Sequence, residues 1–182
     1  MKLYEKTLHS QVVYDGVIIK VRLDEAELEN GKSARREVVE HPDGVAVIPV
    51  DSDGNVYMVR QFRYAYGRPF LEIPAGKLDK GGGAEDPLSG AARELQEETG
   101  LCAKQLTWLG GYSVSPGFCN ETLHIYLAQD LTLGETNPDE DEFLNVERYP
   151  LSQLYEMVMA GEIEDAKTAI GILKAHAILN NK

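Results

Sequence analysis

Cysteine is scarce in this sequence, and long apolar runs are missing. Two cysteines, Cys102 and Cys119, occur in 182 residues, and neither belongs to a CxxC motif or has a histidine at metal-ligand spacing. We therefore expect free thiols rather than a disulfide or a zinc site. The sequence also lacks an apolar stretch of about 18 residues that could span a membrane, and residues 1–5 do not resemble a signal peptide. These absences predict a cytoplasmic protein without a membrane partner.

Positive charge is scarce as well. Lysine and arginine together number 18, against 30 aspartates and glutamates, so the formal net charge is −12. No run of basic residues stands out, and such a chain is a poor match for a polyanion. We therefore expect no nucleic-acid partner. A protein this acidic that handled small phosphorylated molecules would have to bind cations as well.

Length and composition favour one main domain with a small appended one. A chain of 182 residues with 43% hydrophobic content can bury one good core. In residues 1–43, the segments 17–23 and 25–28 show the partial alternation of strands, and Asn30-Gly31 predicts a type I′ hairpin turn that leads to a strand at 35–40. Two or three strands alone are marginally stable, so this sheet should pack on the main domain or on another subunit. We place the domain boundary at residues 41–44, which gives domains of residues 1–43 and 44–182.

Apolar runs and helical periodicity alternate in the second domain. Val45–Val50 is nearly continuous in apolar residues, which is typical of a central strand buried on both faces. Further strands are predicted over 56–62, 70–76, 106–114, 122–128 and 143–149, and helices over 87–99, 150–159 and 165–179. The predicted fold is therefore α/β (α+β), a mixed sheet between helices with a small N-terminal antiparallel β domain.

The helix predicted over residues 87–99 has strong signals at both ends. Asp86 is a good N-cap, Pro87 suits the first helical position, and Gly100 suits a left-handed residue after the last turn. One face carries an apolar stripe, and three glutamates share a neighbouring face. The stripe comprises Leu88, Ala91, Ala92 and Leu95, and the glutamates are Glu94, Glu97 and Glu98.

Two interpretations of the three glutamates remain open, a solvated acidic face and a metal site. Like charges three or four residues apart repel by about 0.2–0.5 kcal/mol per pair. Glu97 and Glu98 also lie in the last turn, where the helix dipole opposes anions by roughly 0.3–1 kcal/mol each. A divalent cation would remove both costs, and clustered carboxylates suit hard ions such as Mg²⁺ or Mn²⁺. The pattern therefore favours the metal site.

The segment around these glutamates resembles the Nudix box, G-x5-E-x7-R-E-U-x-E-E-x-G-U with U aliphatic. Residues 93–101 read RELQEETGL, and Glu85 stands eight positions before Arg93, so every fixed position from Glu85 onward is matched. One departure lies before Glu85, where eight residues separate it from Gly76 instead of five. The surplus lies in residues 81–84, a glycine-rich tract that can bulge outward without moving the helix. The resemblance implies a Nudix-type α/β/α sandwich.

Three segments outside the box resemble the branch of that family that hydrolyses ADP-ribose and other nucleoside diphosphate sugars. They are RQFRY at residues 60–64, LEIPAG at residues 71–76 and SPGF at residues 115–118. In this branch a proline about sixteen residues beyond the box glycine is a marker, and Pro116 stands sixteen residues after Gly100. With residues 36–40 in the first domain, the resemblance extends over nearly the whole chain.

The resemblance also implies roles for the residues of the box. Glu94 and Glu98 would ligate Mg²⁺, with Mn²⁺ as a possible substitute, helped by Glu97 and by the main-chain carbonyl of Ala75. Arg93 would orient the carboxylates as a catalytic residue through an internal ion pair. For Glu85 a metal-linked role and a purely structural role at the helix start remain open.

Substrate contacts are implied outside the box. Arg63 resembles an arginine that binds the substrate phosphates, work for which a bidentate guanidinium is suited. Arg36 resembles one that the first domain contributes to the nucleotide pocket, with Arg35 as a rival. The predicted substrate-binding set is completed by Glu72, Pro116, Gly117 and Phe118.

The acidic loop at residues 139–142, DEDE, has two interpretations. Such a run is usually a solvated surface segment. In the ADP-ribose branch, however, a loop at this place supplies a general base for the attacking water and a further metal ligand. On that basis Glu140 is the predicted base and Glu142 the predicted ligand and second catalytic residue, and the two assignments are interchangeable.

Together these features predict an Mg²⁺-dependent enzyme that hydrolyses ADP-ribose to AMP and ribose 5-phosphate. Within the family, ADP-glucose or GDP-mannose is the alternative substrate. A non-catalytic nucleotide sensor would be expected to lack box glutamates, and none is missing here. A purely structural role of the protein would not explain the glutamate cluster. Relatives of this type are commonly homodimers in which the first domain crosses to the partner, so we also expect a homodimer.

Overall fold

The structure, a computed structural model, describes residues 3–78, 85–134 and 143–180. Its contacts divide the chain into two compact units. The first comprises residues up to Asp43 together with Ser113–Thr122, and the second comprises Gly44–Tyr112 and the residues from Leu123 onward. The segment 113–122, which the sequence boundary at residue 43 assigned to the second domain, therefore packs with the first.

The first unit is a three-stranded antiparallel sheet. Its strands are β1 (Lys6–Asp15), β2 (Lys20–Glu27) and β3 (Ser33–Glu40), in the order β1-β2-β3. The segment Ser113–Thr122 runs along β3, where the Val39 N–H donates to the Phe118 carbonyl (2.7 Å) and the Asn120 N–H donates to the Val39 carbonyl (3.2 Å). Strand β1 was not predicted.

The hairpin between β2 and β3 corrects the predicted type I′ turn. Gly31 has a left-handed φ of 75°, but Asp130 is the one non-glycine residue with positive φ in the described part of the chain, so Asn30 does not share that conformation. A type I′ turn requires positive φ at both central residues. The loop instead closes through the Gly31 N–H, which donates to the Leu28 carbonyl (2.9 Å).

The second unit contains two sheets and three α-helices within the described ranges. One sheet has the order β10-β5-β6 and the other β7-β4-β9-β8, with β4 parallel to β9 and antiparallel to β7. The strands are β4 (Gly44–Pro49), β5 (Asn55–Arg63), β6 (Arg68–Glu72), β7 (Ala75–Lys77), β8 (Leu101–Ser113), β9 (Thr122–Leu133) and β10 (Leu144–Pro150). The helices are α1 (Pro87–Thr99), α2 (Leu151–Met159) and α3 (Ala166–Asn180).

Strand β4 is the centre of the second unit. All six of its residues are buried, and alternate side chains enter different cores. Val45 and Val47 pack with Ala91 and Leu95 of α1. Ala46 and Ile48 belong to the core that includes residues of α2 and α3. Helices therefore cover both faces of the sheet, and the predicted mixed α/β sandwich with a small antiparallel sheet is confirmed.

Close helix–sheet packing explains one glycine of α3. A side chain at Gly171 would meet Ile48 Cδ1 at 2.7 Å, so α3 can approach β4 this closely because residue 171 has none. No helix in the described part of the chain is both long and apolar enough to cross a membrane.

Candidate active site

Helix α1 has the limits that its capping residues predict. The Asp86 carboxylate accepts a hydrogen bond from the Ser89 N–H (3.1 Å), and Gly100 follows the helix with φ 70°. Ala91 and Leu95 are fully buried, whereas Leu88 and Ala92 of the predicted apolar stripe are exposed. Burial of Ala91 and Leu95 orients the helix and turns its glutamate face towards strand β7.

Two of the α1 glutamates are buried beside β7. Glu94 and Glu98 are only 5% and 4% exposed. The Ala75 N–H donates to Glu98 Oε2 (3.0 Å), and the Glu94 carboxylate fills the space where a side chain at Gly76 would lie. A larger residue than glycine at position 76 would therefore displace Glu94. The structure thus places Ala75, Gly76, Glu94 and Glu98 next to one another, and the Ala75 atom that contacts Glu98 is the N–H, whereas the predicted metal ligand is the carbonyl.

Arg93 links the remaining carboxylates of the cluster. Its Nε and Nη2 atoms donate to both oxygens of Glu85 (3.0 and 2.7 Å), and Nη1 donates to Glu94 and to Glu97 (2.7 Å). Nη2 also donates to the Lys77 carbonyl (3.1 Å). These hydrogen bonds, first of all those to Glu85, raise the pKa of the Arg93 guanidinium despite its partial burial. Arg93 therefore links the middle of α1 to Glu85, which precedes the helix, and to Lys77 of β7.

This cluster has the chemistry of a hard-cation site. One guanidinium among the four carboxylates of Glu85, Glu94, Glu97 and Glu98 leaves a formal charge of −3 for these five side chains. Carboxylate and main-chain oxygens are the ligands that Mg²⁺ and Mn²⁺ prefer. Carboxylates crowded together in a partly buried place repel one another, so a bound cation would be stabilising.

The carboxylates of the cluster do not point at one common position. Within the described ranges, no three carboxylate, imidazole or thiol groups converge as ready-made ligands of one ion. Glu94 and Glu97 both turn towards Nη1 of Arg93. A cation would therefore have to replace Arg93 as a partner of at least one of them, while the Glu98 carboxylate stays held by the Ala75 N–H. After that rearrangement, the carboxylate and main-chain oxygens of the cluster would suit a divalent cation.

A second group of charges surrounds Glu72, at the end of β6. Its carboxylate is 2% exposed and accepts two hydrogen bonds of 2.6 Å from Nε and Nη2 of Arg63. Nζ of Lys167, in the first turn of α3, contacts the same carboxylate and also lies 3.0 Å from Asp165 Oδ2. The Arg63 side chain itself is 40% exposed, so it reaches the surface although Glu72 does not.

The pKa values follow from these contacts. Burial raises the pKa of the Glu72 carboxyl, but the hydrogen bonds from Arg63 and the positive charge of Lys167 outweigh it, so the net shift is downward. The pKa of Arg63 is raised, mainly by its hydrogen bonds to Glu72 and to a smaller extent by the negative charges of Asp165 and Glu98. The Glu72 carboxylate is therefore the main cause of the pKa shift at Arg63.

The other predicted substrate-binding residues lie in the first unit. Arg36, on β3, forms a two-point ion pair with Glu5 through Nε (2.8 Å) and Nη2 (2.6 Å). Pro116, Gly117 and Phe118 are exposed in the segment beside β3, and Phe118 is 56% exposed.

Comparison with known proteins identifies the family. A model of the NUDIX domain matches residues 40–169. The chain belongs to the Nudix family. A model of the nucleoside diphosphate sugar hydrolase N-terminal domain matches residues 5–39, ahead of the Nudix match.

Individual relatives extend the Nudix assignment to nearly the whole chain. An ADP-ribose pyrophosphatase of Bacillus subtilis is 44% identical over 172 residues, which cover 93% of this chain and 91% of the relative. A methanol dehydrogenase activator of Bacillus methanolicus is 40% identical over 174 residues, covering 94% and 92%. A crystal structure titled as an ADP compounds hydrolase superposes with a TM-score of 0.87 at 24% identity, over 100% of this chain and 97% of that one, and shows the same fold.

The predicted residues of the acidic loop and the contacts around Glu72 differ in what the structure describes. Glu140 and Glu142, the predicted base and further metal ligand, lie outside the described residues. Lys167, Asp165 and Thr168 were not singled out from the sequence, although Lys167 contacts the Glu72 carboxylate and Asp165 contacts both Lys167 and Thr168. The helix predicted from residue 165 placed them at a helix start, but nothing in the spacing pointed to a partner 95 residues away.

Proposed function

We propose that this Nudix protein is a divalent-cation-dependent hydrolase that cleaves the diphosphate of ADP-ribose to AMP and ribose 5-phosphate. The observation that carries the proposal is the burial of Glu94 and Glu98 against Ala75 and Gly76. The similarity to the Bacillus subtilis ADP-ribose pyrophosphatase supports the choice of substrate.

The cation assigned to the site is Mg²⁺, for which Mn²⁺ can substitute. Glu94, Glu98 and the Ala75 carbonyl would hold it, with Glu97 as a further carboxylate and Glu142 as a ligand from the acidic loop. When bound, it would neutralise negative charge on the diphosphate and lower the pKa of a bound water. Arg93 keeps Glu85, Glu94 and Glu97 within reach of one another, since all three contact its guanidinium.

Substrate binding requires positive charge that the carboxylates cannot supply. Arg63 is assigned to a substrate phosphate, because Glu72 occupies only Nε and one N–H of Nη2 and a guanidinium has five N–H donors. Glu72 would contribute to binding by holding Arg63, since both of its oxygens are already engaged. Arg36, Pro116, Gly117 and Phe118 are assigned to the nucleotide end, as the family resemblance implies.

The hydrolytic step adds water across one P–O bond. A water oxygen bonds to one phosphorus of the diphosphate, the bond from that phosphorus to the bridging oxygen breaks, and the other phosphate leaves on its sugar. The proton of the water passes to the carboxylate of Glu140, the assigned general base. General-base help of this kind is typically worth about 10²–10⁴-fold in rate.

We also propose a cytoplasmic homodimer. Every residue of β1 is exposed, including Leu8, Val12, Val13 and Tyr14, which are 49–56% exposed. Apolar patches of this kind often mark protein interfaces. Free Cys102 and Cys119 accord with a reducing compartment. Light scattering after size exclusion should give twice the 20.2 kDa mass of the chain, and a Val12→Glu variant should shift towards the monomer.

A substrate panel tests the proposal directly. Purified protein with Mg²⁺ is incubated separately with ADP-ribose, ADP-glucose, GDP-mannose, NADH and ATP, and the products are identified by mass. AMP and ribose 5-phosphate should form fastest from ADP-ribose, and no product should form in EDTA. Preferential release of GMP from GDP-mannose would overturn the substrate assignment, and no hydrolysis of any compound would favour a nucleotide sensor.

A further inference from the structure

Lys167 and Arg63 share one buried carboxylate although they come from different elements. Arg63 ends β5 and Lys167 lies in the first turn of α3, and both contact Glu72, which is 2% exposed. The Lys167 side chain is itself only 14% exposed and has Asp165 as a second partner at 3.0 Å. A lysine with so little exposure is normally paired with a carboxylate. Here the carboxylate is that of Glu72, which also binds Arg63.

The start of α3 is also hydrogen bonded to the backbone at Ile73, in the segment that leads to Ala75. Thr168 Oγ1 accepts a hydrogen bond from the Ile73 N–H (2.9 Å) and donates to Asp165 (2.5 Å). Two residues after Ile73, the Ala75 N–H donates to Glu98 (3.0 Å). The segment from Glu72 to Ala75 is therefore attached to α3 at one end and to the α1 glutamates at the other.

We propose that Lys167 is a positioning residue for substrate binding, which fixes the Glu72 carboxylate so that Arg63 presents its outer N–H groups to a phosphate. With Arg63 as its single partner, the carboxylate could move together with the arginine side chain, which is 40% exposed. A second cation in the first turn of α3 anchors the carboxylate independently of Arg63. This inference rests on the proposed function, because the phosphate contact of Arg63 is assigned there.

A purely structural role for Lys167, in docking α3, makes a different prediction. Loss of docking would lower activity to the same extent whether or not Arg63 is present. A positioning role acts through Arg63 and must disappear with it, and a double-mutant cycle separates these cases.

The experiment compares Lys167→Met, Arg63→Ala and the double variant with the wild type, using ADP-ribose and Mg²⁺. Lys167→Met should raise KM about tenfold with a smaller change in kcat, and should change kcat/KM less than about twofold in the Arg63→Ala background. Lys167→Arg should restore most of the lost substrate affinity.

Lys174→Met is the matched control, because this lysine on the same helix lies over the Tyr112 ring instead of a carboxylate. Its KM should equal that of the wild type. Equal losses in both backgrounds would overturn the proposal.

A second readout does not depend on catalysis. The Arg63 Nε–H is hydrogen bonded to Glu72, so its NMR signal should exchange slowly with solvent. Lys167→Met should accelerate this exchange severalfold, and Lys174→Met should not. Unchanged exchange would contradict the inference even if ADP-ribose is hydrolysed. Accelerated exchange in a protein that hydrolyses no nucleotide sugar would instead contradict the proposed function alone.

Discussion

The carboxylate of Glu94 lies against the backbone of Gly76, in the space where a side chain at residue 76 would be. One residue belongs to α1 and the other to β7, so their contact sets how close the helix comes to the strand that carries the Ala75 carbonyl. The position of the buried carboxylate thus depends on the absence of a side chain eighteen residues earlier.

Gly76→Ala should therefore displace Glu94 and impair hydrolysis. We expect kcat/KM to fall by about 100-fold, the scale of a misplacement near 1 Å in an active site. Steady-state kinetics with ADP-ribose and Mg²⁺ measures this. Gly54→Ala is the control, because Gly54 lies in a turn with φ 79° and open space around it, so the variant should lose stability and keep its kcat/KM. Full activity of Gly76→Ala would show that the Glu94 position does not matter.

Arg93→Met should make the protein more dependent on divalent cations for stability. Without Mg²⁺, Glu85, Glu94 and Glu97 lose their shared guanidinium, and breaking such partly buried pairs costs roughly 3 kcal/mol of unfolding free energy. Because the added negative charge strengthens cation binding, Mg²⁺ should raise the Tm of the variant more than that of the wild type. Scanning calorimetry with and without Mg²⁺ tests this.

The control for Arg93→Met is Arg68→Met. Arg68 pairs with Glu164, and both side chains are about half exposed. Its removal should change stability little, and Mg²⁺ should shift its Tm as much as it shifts that of the wild type. An equal Mg²⁺ effect on Arg93→Met would count against a cation site at these glutamates.

Glu72 should make folding stability depend on pH. The folded-state pKa of Glu72 lies below its ordinary value of 4.5, so its stabilising contribution is complete above that pH and is lost as the pH falls through the lower folded pKa. Glu72→Gln should lower the free energy of unfolding by about 2 kcal/mol at pH 7, less than for a fully buried pair because Arg63 is partly exposed. The difference from the wild type should shrink as the pH falls below 4.5.

Urea unfolding between pH 3.5 and pH 7, as about eight separate titrations, measures this dependence. Glu156→Gln, on the exposed side of α2, makes the same chemical change at the surface and should follow the wild type at every pH. A difference between Glu72→Gln and the wild type that stays constant with pH would refute the assignment.

Glu140→Gln and Glu142→Gln should separate the base from the metal ligand. Loss of the base should lower kcat by about 10²–10⁴-fold with little change in cation affinity, whereas loss of the ligand should weaken cation affinity. Activity measured against Mg²⁺ concentration distinguishes the two, and reversed outcomes would exchange the roles. Asp139→Asn is the control from the same loop. If neither glutamate variant loses activity, the base lies elsewhere.

Local signals explain what the sequence predicted well. The ends of α1 depend on Asp86, Pro87 and Gly100, whose preferences act within one helical turn, and the apolar run of β4 reflects burial on both faces. Strand β1 was missed because all ten of its residues are exposed, so no alternation marks it, and its state follows from pairing with β2. The Glu72–Lys167 contact joins residues far apart in the chain, which spacing alone does not reveal.

The most direct test of the account is the binding of Mn²⁺ to the Glu94→Gln/Glu98→Gln double variant, measured by titration calorimetry beside the wild type. If these buried carboxylates hold the catalytic cation, the double variant should lose at least about tenfold in Mn²⁺ affinity, while Glu156→Gln binds as the wild type does. Wild-type Mn²⁺ affinity in the double variant would contradict the account, because the cation would then bind without the two glutamates to which the site is assigned.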